Sequence, residues 1–223
     1  MTDGRTPESN PAPPNLIHLR ELPARIAWDA LFGNNHPVAL EVGPGKGLFL
    51  ANAARRDPGT NYCGVEIAAK YARKAAERVT KQGLDNVRVI NGDAGRILAE
   101  FLAPASLSAV HVYFPDPWWK KRHKKRRVFR EAFLIDARRA LRPGGDLRIA
   151  TDVEEYFGVM TELVASHPEF VEQPPPLPGT PEHDLDYLTN FERKYRIEGR
   201  PIFRAHYTLE PGWVDPPRAG SVG

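Results

Sequence analysis

The chain has 223 residues, of which 41% are hydrophobic and 26% are charged, and its formal net charge is +3. This is enough apolar material for one core. Cys63 is the only cysteine, which excludes an intrachain disulfide, and no Cys/His spacing of the zinc type occurs, so we predict no metal site. No apolar run approaches the roughly 18 residues of a membrane helix, and the N-terminus lacks a signal-peptide layout. We therefore expect a cytoplasmic protein without membrane contact.

Short apolar runs alternate with helical patterns along most of the chain. Strands are predicted at 38–42, 62–67, 87–90, 109–114 and 146–151. Helices are predicted at roughly 46–56, 68–82, 128–141 and 153–166, and RPGG at 142–145 is predicted to be a turn. A last strand at 203–209 has no helix after it and is expected to be antiparallel. The alternation is typical of an α/β fold, in which helices cover both faces of a mostly parallel sheet.

The two ends of the chain differ in composition from the middle. Residues 1–15 carry four prolines among polar residues and are predicted to form a disordered extension. Residues 211–223, PGWVDPPRAGSVG, are predicted to form a flexible tail. We expect one domain over residues 16–210, in which PPPLPGTP at 174–181 is a connecting loop.

The segment LEVGPGKGLFL, residues 40–50, combines a strand, a glycine turn and the start of a helix. Three glycines let the backbone of this turn approach a ligand closely: Gly43, Gly45 and Gly47. The dinucleotide-binding fingerprint requires a further glycine where Leu48 stands. Glu66 lies at the end of the next predicted strand, where a carboxylate can accept hydrogen bonds from both hydroxyls of an adenosine ribose.

Acidic residues lie near the ends of three predicted strands: Glu41, Glu66 and Asp93. The carboxyl ends of parallel strands form the edge at which open α/β sheets bind ligands. Carboxylates at this edge would repel the pyrophosphate of NAD and suit a cation such as the sulfonium of S-adenosylmethionine, with Asp93 facing the adenine. The methyl donor is therefore favoured over NAD. Structural explanations stay open, with Glu41 as a satisfied loop anchor and Asp93 as a helix cap.

The stretch YFPDPWWKKRHKKRRVF, residues 113–129, joins an acid held between two prolines to a block of cations. Asp116 follows the fourth predicted strand, and Pro115 and Pro117 restrict the backbone on either side of it. The two tryptophans that follow offer flat faces on which a splayed-out base can stack. A tight turn anchored by the tryptophans is the structural alternative.

Residues 120–130 contain eight Lys or Arg and no acid. The rest of the chain has 23 of the 31 cations against all 28 acids, so the positive charge is concentrated in this block. Such a block suggests a polyanionic partner, whose phosphates it would hold beside an acceptor base. A solvated loop is the simpler alternative, although eight cations in eleven residues repel one another.

Six segments resemble, in their order, those of the tRNA (guanine-N7-)-methyltransferase family. They are FGNNHPVALEVGPGKGLFLANAA, GVEIAAKYARKA, NGDA, FPDPWWKKRHKKRRVF, LRPGGDLRIATD and TNFERKYRIEGRPIFRAHY, within about residues 31–208. The resemblance implies a Rossmann-like class I methyltransferase fold and S-adenosylmethionine as cofactor. It also implies that the acceptor is a guanine in the variable loop of tRNA.

The resemblance also implies roles for individual residues. Cofactor contacts are implied for the glycine turn and for four acids: Glu41, Glu66, Asp93 and Asp116. Asp116 is also implied to be the catalytic acid. Substrate contacts are implied for Lys120, Asp152, Thr189, Asn190, Phe191 and Glu192. RNA contacts are implied for Arg122, His123, Lys124, Lys125, Arg126 and Arg127.

Some of these residues also have local structural explanations. Thr189–Glu192 and Thr151–Glu154 both match a capping box, so each motif also predicts the start of a helix. We interpret His111, on the fourth predicted strand, as a packed histidine and Cys63 as a core residue.

Three other functions remain open from the sequence. A methyltransferase for DNA or a small molecule is one, but the cation block argues against a small acceptor. A nucleic-acid-binding module without catalysis is another, against which the strand-end acids argue. An NAD enzyme is the third, and Leu48 counts against it. We expect tRNA as the partner and a monomer or homodimer as the assembly.

Overall fold

The computed structural model describes residues 11–118, 127–174 and 189–214, without the side chains of Asn190 and Phe191. Eight strands form one mixed sheet in the order β1-β4-β3-β2-β5-β6-β8-β7. Their bounds are β1 Leu16–His18, β2 Val38–Val42, β3 Asn61–Glu66, β4 Val87–Asn91, β5 Leu107–Tyr113, β6 Leu141–Thr151, β7 Phe170–Gln173 and β8 Phe203–Leu209. Neighbours among β1 to β6 are parallel, whereas β8 is antiparallel to both β6 and β7.

Helices cover both faces of the sheet. Their bounds are α1 Trp28–Phe32, α2 Leu48–Arg56, α3 Ala69–Lys81, α4 Ala94–Arg96, α5 Glu131–Ala140, α6 Glu154–Ala165 and α7 Asn190–Ile197; a π-helical turn, Ile97–Phe101, continues α4. Helices α2 and α3 pack in one apolar layer, and α5 and α6 pack in the other. Neighbouring residues of β2 alternate between these layers, since Leu40 belongs to one and Ala39 to the other. The predicted architecture, including the antiparallel strand at 203–209, is confirmed.

The differences from the predicted elements are local. The strands β1 and β7 were not predicted, and at three and four residues they are short. The RPGG segment lies inside β6, where Gly144 has a φ of 74° and the pairing with β5 shifts between Leu107 and Ala109. This part of β6 is therefore an irregularity within the strand rather than a turn before it.

The ordered fold extends beyond residues 16–210 at both ends. Asn15 is buried, and its side chain donates to the carbonyls of Leu84 at 3.1 Å and Val87 at 2.9 Å. Near the other end, Trp213 packs on the core, with the Arg138 guanidinium 5.2 Å from its ring centroid. Residues 13–15 and 211–213 therefore contribute to the fold, while residues 1–10 of the predicted extension and 215–223 of the predicted tail lie outside the described residues.

The sheet order creates a reversal point between β2 and β5. From β2 the chain proceeds outward through β3 to β4, and it then returns to the other side of β2 to form β5. The loops that follow these two strands begin at the same level, because Val42 pairs with Val112. Open α/β sheets bind ligands in the crevice at such a point, beyond the carboxyl ends of the strands.

Candidate active site

The glycine turn after β2 forms one wall of this crevice. Gly43, Gly45 and Gly47 all have positive φ, between 55° and 70°. Gly47 is also packed too closely for a side chain, since a Cβ there would lie 2.9 Å from Cβ of Ala75 on α3. This close approach and the left-handed backbone explain the G-x-G-x-G spacing, and they delay the start of α2 to Leu48, two residues after the predicted start.

Glu66, the last residue of β3, is held by backbone donors. Its Oε2 accepts from the Gly45 amide at 3.0 Å and its Oε1 from the Ala68 amide at 2.9 Å. The Glu66 carbonyl also accepts from the side-chain amide of Asn91 at 2.9 Å. Because each carboxylate oxygen can accept more than one hydrogen bond, both keep capacity for hydroxyl donors of a ligand. The contact with a ribose stays a prediction.

Glu41, within β2, is 3% exposed, and its Oε2 has no hydrogen-bond partner in the described part of the chain. Burial, with a further contribution from the negative charge of Glu66, raises the pKa of Glu41 well above its ordinary value. A satisfied loop anchor would have partners for both oxygens, so the structure does not support that explanation. A buried carboxyl with an unpartnered oxygen instead fits a site that takes a cationic group.

Asp93 follows β4 at the same edge and is exposed. Its Oδ1 accepts from the Arg96 amide at 2.9 Å, which makes Asp93 the N-cap of α4. The helix-cap explanation is confirmed. A contact of Asp93 with the cofactor stays a prediction, compatible with the cap because the other carboxylate oxygen is not used for it.

The loop after β5 forms the other wall of the crevice. Its first hydrogen bond continues the sheet, since the Phe114 amide donates to the Ala150 carbonyl at 2.7 Å. Phe114 and Trp118 have left-handed φ values of 51° and 40°, a conformation that costs residues other than glycine roughly 1–3 kcal/mol each. Asp116 lies between them and is exposed. The proline-locked acid therefore sits in a strained, sharply folded loop at the crevice.

Arg127 is buried beneath this loop. It is 9% exposed, and its Nε donates to the Pro117 carbonyl at 2.6 Å. The guanidinium also lies 4.7 Å from the ring centroid of Tyr156, on α6. The RNA contact of Arg127 stays a prediction, and burial leaves little of this side chain at the surface to make it. The other predicted RNA contacts, Arg122 to Arg126, and the predicted substrate contact Lys120 lie outside the described residues.

Asp152 follows β6 at the same edge, and its side chain is 8% exposed. Its carboxylate forms an ion pair with Arg200, which stacks on the ring of Tyr195 at 4.2 Å. The prediction of a capping box at Thr151–Glu154 is wrong. Helix α6 begins only at Glu154, and the Thr151 hydroxyl accepts instead from the Val153 amide at 3.2 Å.

Thr189 and Glu192 bring α7 to this edge. The Thr189 hydroxyl accepts from the Glu192 amide at 2.9 Å, so the predicted helix start is confirmed. The Glu192 carboxylate is buried and pairs with Arg204 at 2.7 Å and with Arg196 at 3.8 Å. Asn190 lies in α7 as well. The substrate contacts of this motif stay predictions.

Sequence reasoning missed the arginines that pair with the site. Arg200 and Arg204 belong to the matched segment RIEGRPIFR, but nothing in their spacing singled them out from other surface cations. The packing interpretations of two other residues are confirmed. His111 is buried, with Nδ1 2.9 Å from the Tyr113 hydroxyl, and burial lowers its pKa to about 3. Cys63 is fully buried, which raises its pKa to about 12.

The described residues include no helix that is long and apolar enough to cross a membrane. Within the same ranges, no three His, Cys, Asp or Glu residues are grouped so that they could hold a metal ion.

Solved structures with the same fold are methyltransferases. The chain aligns with the 16S rRNA methyltransferase KamB at a TM-score of 0.60 and 17% identity, over 82% of this chain and 93% of the other. It aligns with an S-adenosylmethionine-dependent methyltransferase of Aquifex aeolicus at a TM-score of 0.54 and 15% identity, over 81% and 86%. At such identities these structures establish the fold alone, and the predicted Rossmann-like methyltransferase fold is confirmed.

Sequence comparison gives a more specific result. Residues 35–205 match a family model described as a putative methyltransferase. A tRNA (guanine-N(7)-)-methyltransferase of Rhodopirellula baltica is 45% identical over 84% of this chain and 71% of its own length. Proteins of the same name from Geobacter metallireducens and Myxococcus xanthus are 35% and 39% identical, over 87% and 80% of this chain and 92% and 86% of their own lengths. The chain therefore belongs to the tRNA (guanine-N7-)-methyltransferase family.

Proposed function

We propose that the protein transfers the methyl group of S-adenosylmethionine to N7 of a guanine in the variable loop of tRNA. One observation carries the proposal beyond family membership. The fold brings the glycine turn, with its backbone-held Glu66, and the Asp116 loop to the two sides of one crevice. This placement supports a site in which the cofactor and the acceptor would meet where the sheet order reverses.

The residues around the glycine turn fit the cofactor. S-adenosylmethionine supplies a methyl group on a positively charged sulfur. Glu66 would hold the ribose hydroxyls, Asp93 would face the adenine, and the glycines would let the backbone approach closely. The buried carboxyl of Glu41, whose Oε2 lacks a partner in the described part of the chain, favours a cationic ligand.

On the acceptor side, the chemistry of guanine sets what the chain must supply. N7 already has a free lone pair, so no proton has to leave before it attacks the methyl group. Transfer would break the methyl–sulfur bond, leave its electron pair on sulfur and pass the positive charge to the purine ring, so a fixed carboxylate nearby would become more favourable as this charge develops. Asp116 is exposed at the crevice and would serve in this way, positioning the guanine and stabilising charge without acting as a base.

The tRNA would be held by two further groups of residues. Asp152 and the Thr189–Glu192 motif lie at the same edge as Asp116 and would contact the nucleotide that is methylated. The cations at 120–126 would bind phosphates on either side of it. We expect the protein to work in the cytoplasm, as a monomer or a homodimer.

The test is mass analysis of nucleosides. Purified protein is incubated with an unmodified tRNA transcript and S-adenosylmethionine, and the RNA is then digested. We expect 7-methylguanosine, which reverse transcription after chemical cleavage at the modified base should place in the variable loop. Single-stranded DNA of the same sequence serves as the control acceptor. Methylation of another atom, of another tRNA region or of the DNA would contradict the proposal.

A further inference from the structure

Arg127 is buried although it belongs to the block of cations at 120–130, called the cationic segment below. A buried guanidinium is costly unless its donors and its charge are compensated. Here the Nε donates to the Pro117 carbonyl at 2.6 Å, and the planar group lies over the Tyr156 ring, which is itself 0% exposed. Both contacts point inward, so the guanidinium is used within the protein.

The carbonyl that Arg127 binds belongs to the loop carrying Asp116. Pro117 follows Asp116 directly, and the residue after it, Trp118, has a left-handed φ of 40°. At the other end of the loop, Phe114 is also left-handed, and its amide is bound to the Ala150 carbonyl. Strained backbone of this kind persists only where surrounding contacts hold it. The bond from Arg127 is such a contact on the far side of Asp116.

Arg127 also connects this loop to a neighbouring helix. Tyr156 is in the first turn of α6, just after Asp152 at the end of β6. Burial raises the pKa of the Tyr156 hydroxyl to about 12, and the positive charge of Arg127 acts against this rise. Through its bond to the Pro117 carbonyl and its position over the Tyr156 ring, Arg127 therefore joins the Asp116 loop to α6.

We propose that Arg127 is a positioning residue for Asp116, and that it holds the loop through the Pro117 carbonyl and the Tyr156 ring instead of binding a tRNA phosphate. The assignment rests on the proposed function, in which Asp116 faces the guanine. It divides the cationic segment by role, because Arg127 then serves the geometry of the reaction and its charge does not contribute to tRNA affinity.

Arg127→Lys separates the two roles because it keeps the charge and removes the planar guanidinium. A displaced catalytic group typically lowers the rate of the chemical step while binding continues. We expect the single-turnover rate of methyl transfer, with tRNA and cofactor both saturating, to fall about 10- to 100-fold in Arg127→Lys. We expect the same fall in Arg127→Gln, with unchanged tRNA affinity and salt dependence in both variants. The double variant Arg127→Lys/Tyr156→Leu should lose little more of the single-turnover rate than either single variant loses.

The matched control is Arg142→Gln, which removes the same charge from an exposed arginine in the irregular part of β6, distant from the crevice. It should keep the wild-type rate. If Arg127 binds phosphate, Arg127→Lys keeps the wild-type rate, and Arg127→Gln flattens the slope of log affinity against log salt by about 0.7–0.9. That result would overturn the proposal. A lowered melting temperature with an unchanged saturated rate would also overturn it, since it indicates a purely structural residue.

Should Arg127→Gln fail to fold, Arg127→Lys carries the test alone. The reaction of the wild-type protein distinguishes a failure of the proposed function from a failure of the proposed role of Arg127. If wild-type protein forms no 7-methylguanosine, the proposed function fails; if it does and Arg127→Lys matches its rate, only the role of Arg127 fails.

Discussion

The two walls of the crevice hold their functional groups by different means. On the side of the glycine turn, which we propose to bind the cofactor, backbone amides bind two of the carboxylates: those of Gly45 and Ala68 bind Glu66, and that of Arg96 binds Asp93. On the side of the Asp116 loop, which we propose to bind the acceptor, arginine side chains take this place. Asp152 pairs with Arg200, Glu192 pairs with Arg204, and the Pro117 carbonyl accepts from Arg127.

This difference indicates that the groups held by backbone amides are preformed, whereas the groups paired with arginines can exchange their partners. Backbone donors in a tight turn have little freedom, so the cofactor side keeps its geometry before any ligand arrives. An arginine reaches its partner through a long side chain, and Arg200 remains 42% exposed. We therefore expect that a base offering its own donors can replace Arg200 at Asp152 without rearrangement of the sheet. We interpret the cofactor side as rigid and the acceptor side as adjustable.

The largest expected effect breaks the cofactor side. Glu66→Ala should weaken cofactor binding by about 2–4 kcal/mol, because it removes charged hydrogen bonds and leaves the Gly45 and Ala68 amides unpaired. Calorimetry measures the cofactor affinity, and a filter assay measures the tRNA affinity, which should hardly change. Asp152→Asn, on the other wall, is the matched control and should leave cofactor binding intact. An unchanged cofactor affinity in Glu66→Ala would remove Glu66 from the site.

The next effect falls on the chemical step. Asp116→Asn keeps the shape of the loop residue and removes its charge, and it should reduce single-turnover methyl transfer by roughly 100-fold or more. Cofactor and tRNA affinities should change much less, because neither wall is otherwise altered. The measurement uses saturating cofactor and tRNA. A variant that runs at the wild-type rate would exclude Asp116 from the mechanism.

A smaller effect concerns tRNA affinity. If the cationic segment makes about four phosphate contacts, log affinity should fall with log salt with a slope near −3. Replacing four of its cations by glutamine should flatten this slope and leave cofactor affinity constant: Arg122, Lys124, Lys125 and Arg126. Arg127 is excluded because it is buried. Affinity titrations at several salt concentrations give the slope, and an unchanged slope would place the RNA elsewhere.

The smallest effect is a linked proton at Glu41. Burial raises the pKa of this carboxyl, so the folded free protein retains a proton that the unfolded chain loses near its ordinary value of 4.5. Stability from this group is therefore lost as pH rises from about 4.5 through the folded pKa. A cationic ligand favours the ionised form, so cofactor binding below the folded pKa should release up to about one proton.

Calorimetry in buffers of different ionisation enthalpy measures that proton, and Glu41→Gln should abolish its release. Thermal melting at several pH values measures the linked loss of stability. The wild type should lose stability relative to Glu41→Gln as pH rises. Binding without proton release at any pH below neutrality would show that Glu41 is already ionised in the free protein.

The success of prediction from the sequence differs between the carboxylates and the arginines that contact the site. Glu41, Glu66, Asp93 and Asp116 could be predicted to share one edge because each lies in or just after a strand, and parallel strands bring these positions together. The arginine contacts could not be predicted, because the pairs Arg127–Pro117, Arg200–Asp152 and Arg204–Glu192 depend on where distant elements pack. Short β1 was missed because its three residues depend on pairing with Val89–Asn91. The capping-box prediction at Thr151 failed because β6 continues through that residue.

The reversed direction of β8 has a consequence for how such an enzyme can diversify. Because β8 is antiparallel to β6, with Thr151 paired to Phe203, the segment 189–202 reaches the ligand edge without a crossover. A parallel last strand would have delivered that segment to the opposite edge. If the Thr189–Glu192 motif contacts the acceptor as proposed, we expect substitutions within residues 189–202 to change the choice of acceptor without altering the glycine turn or Glu66.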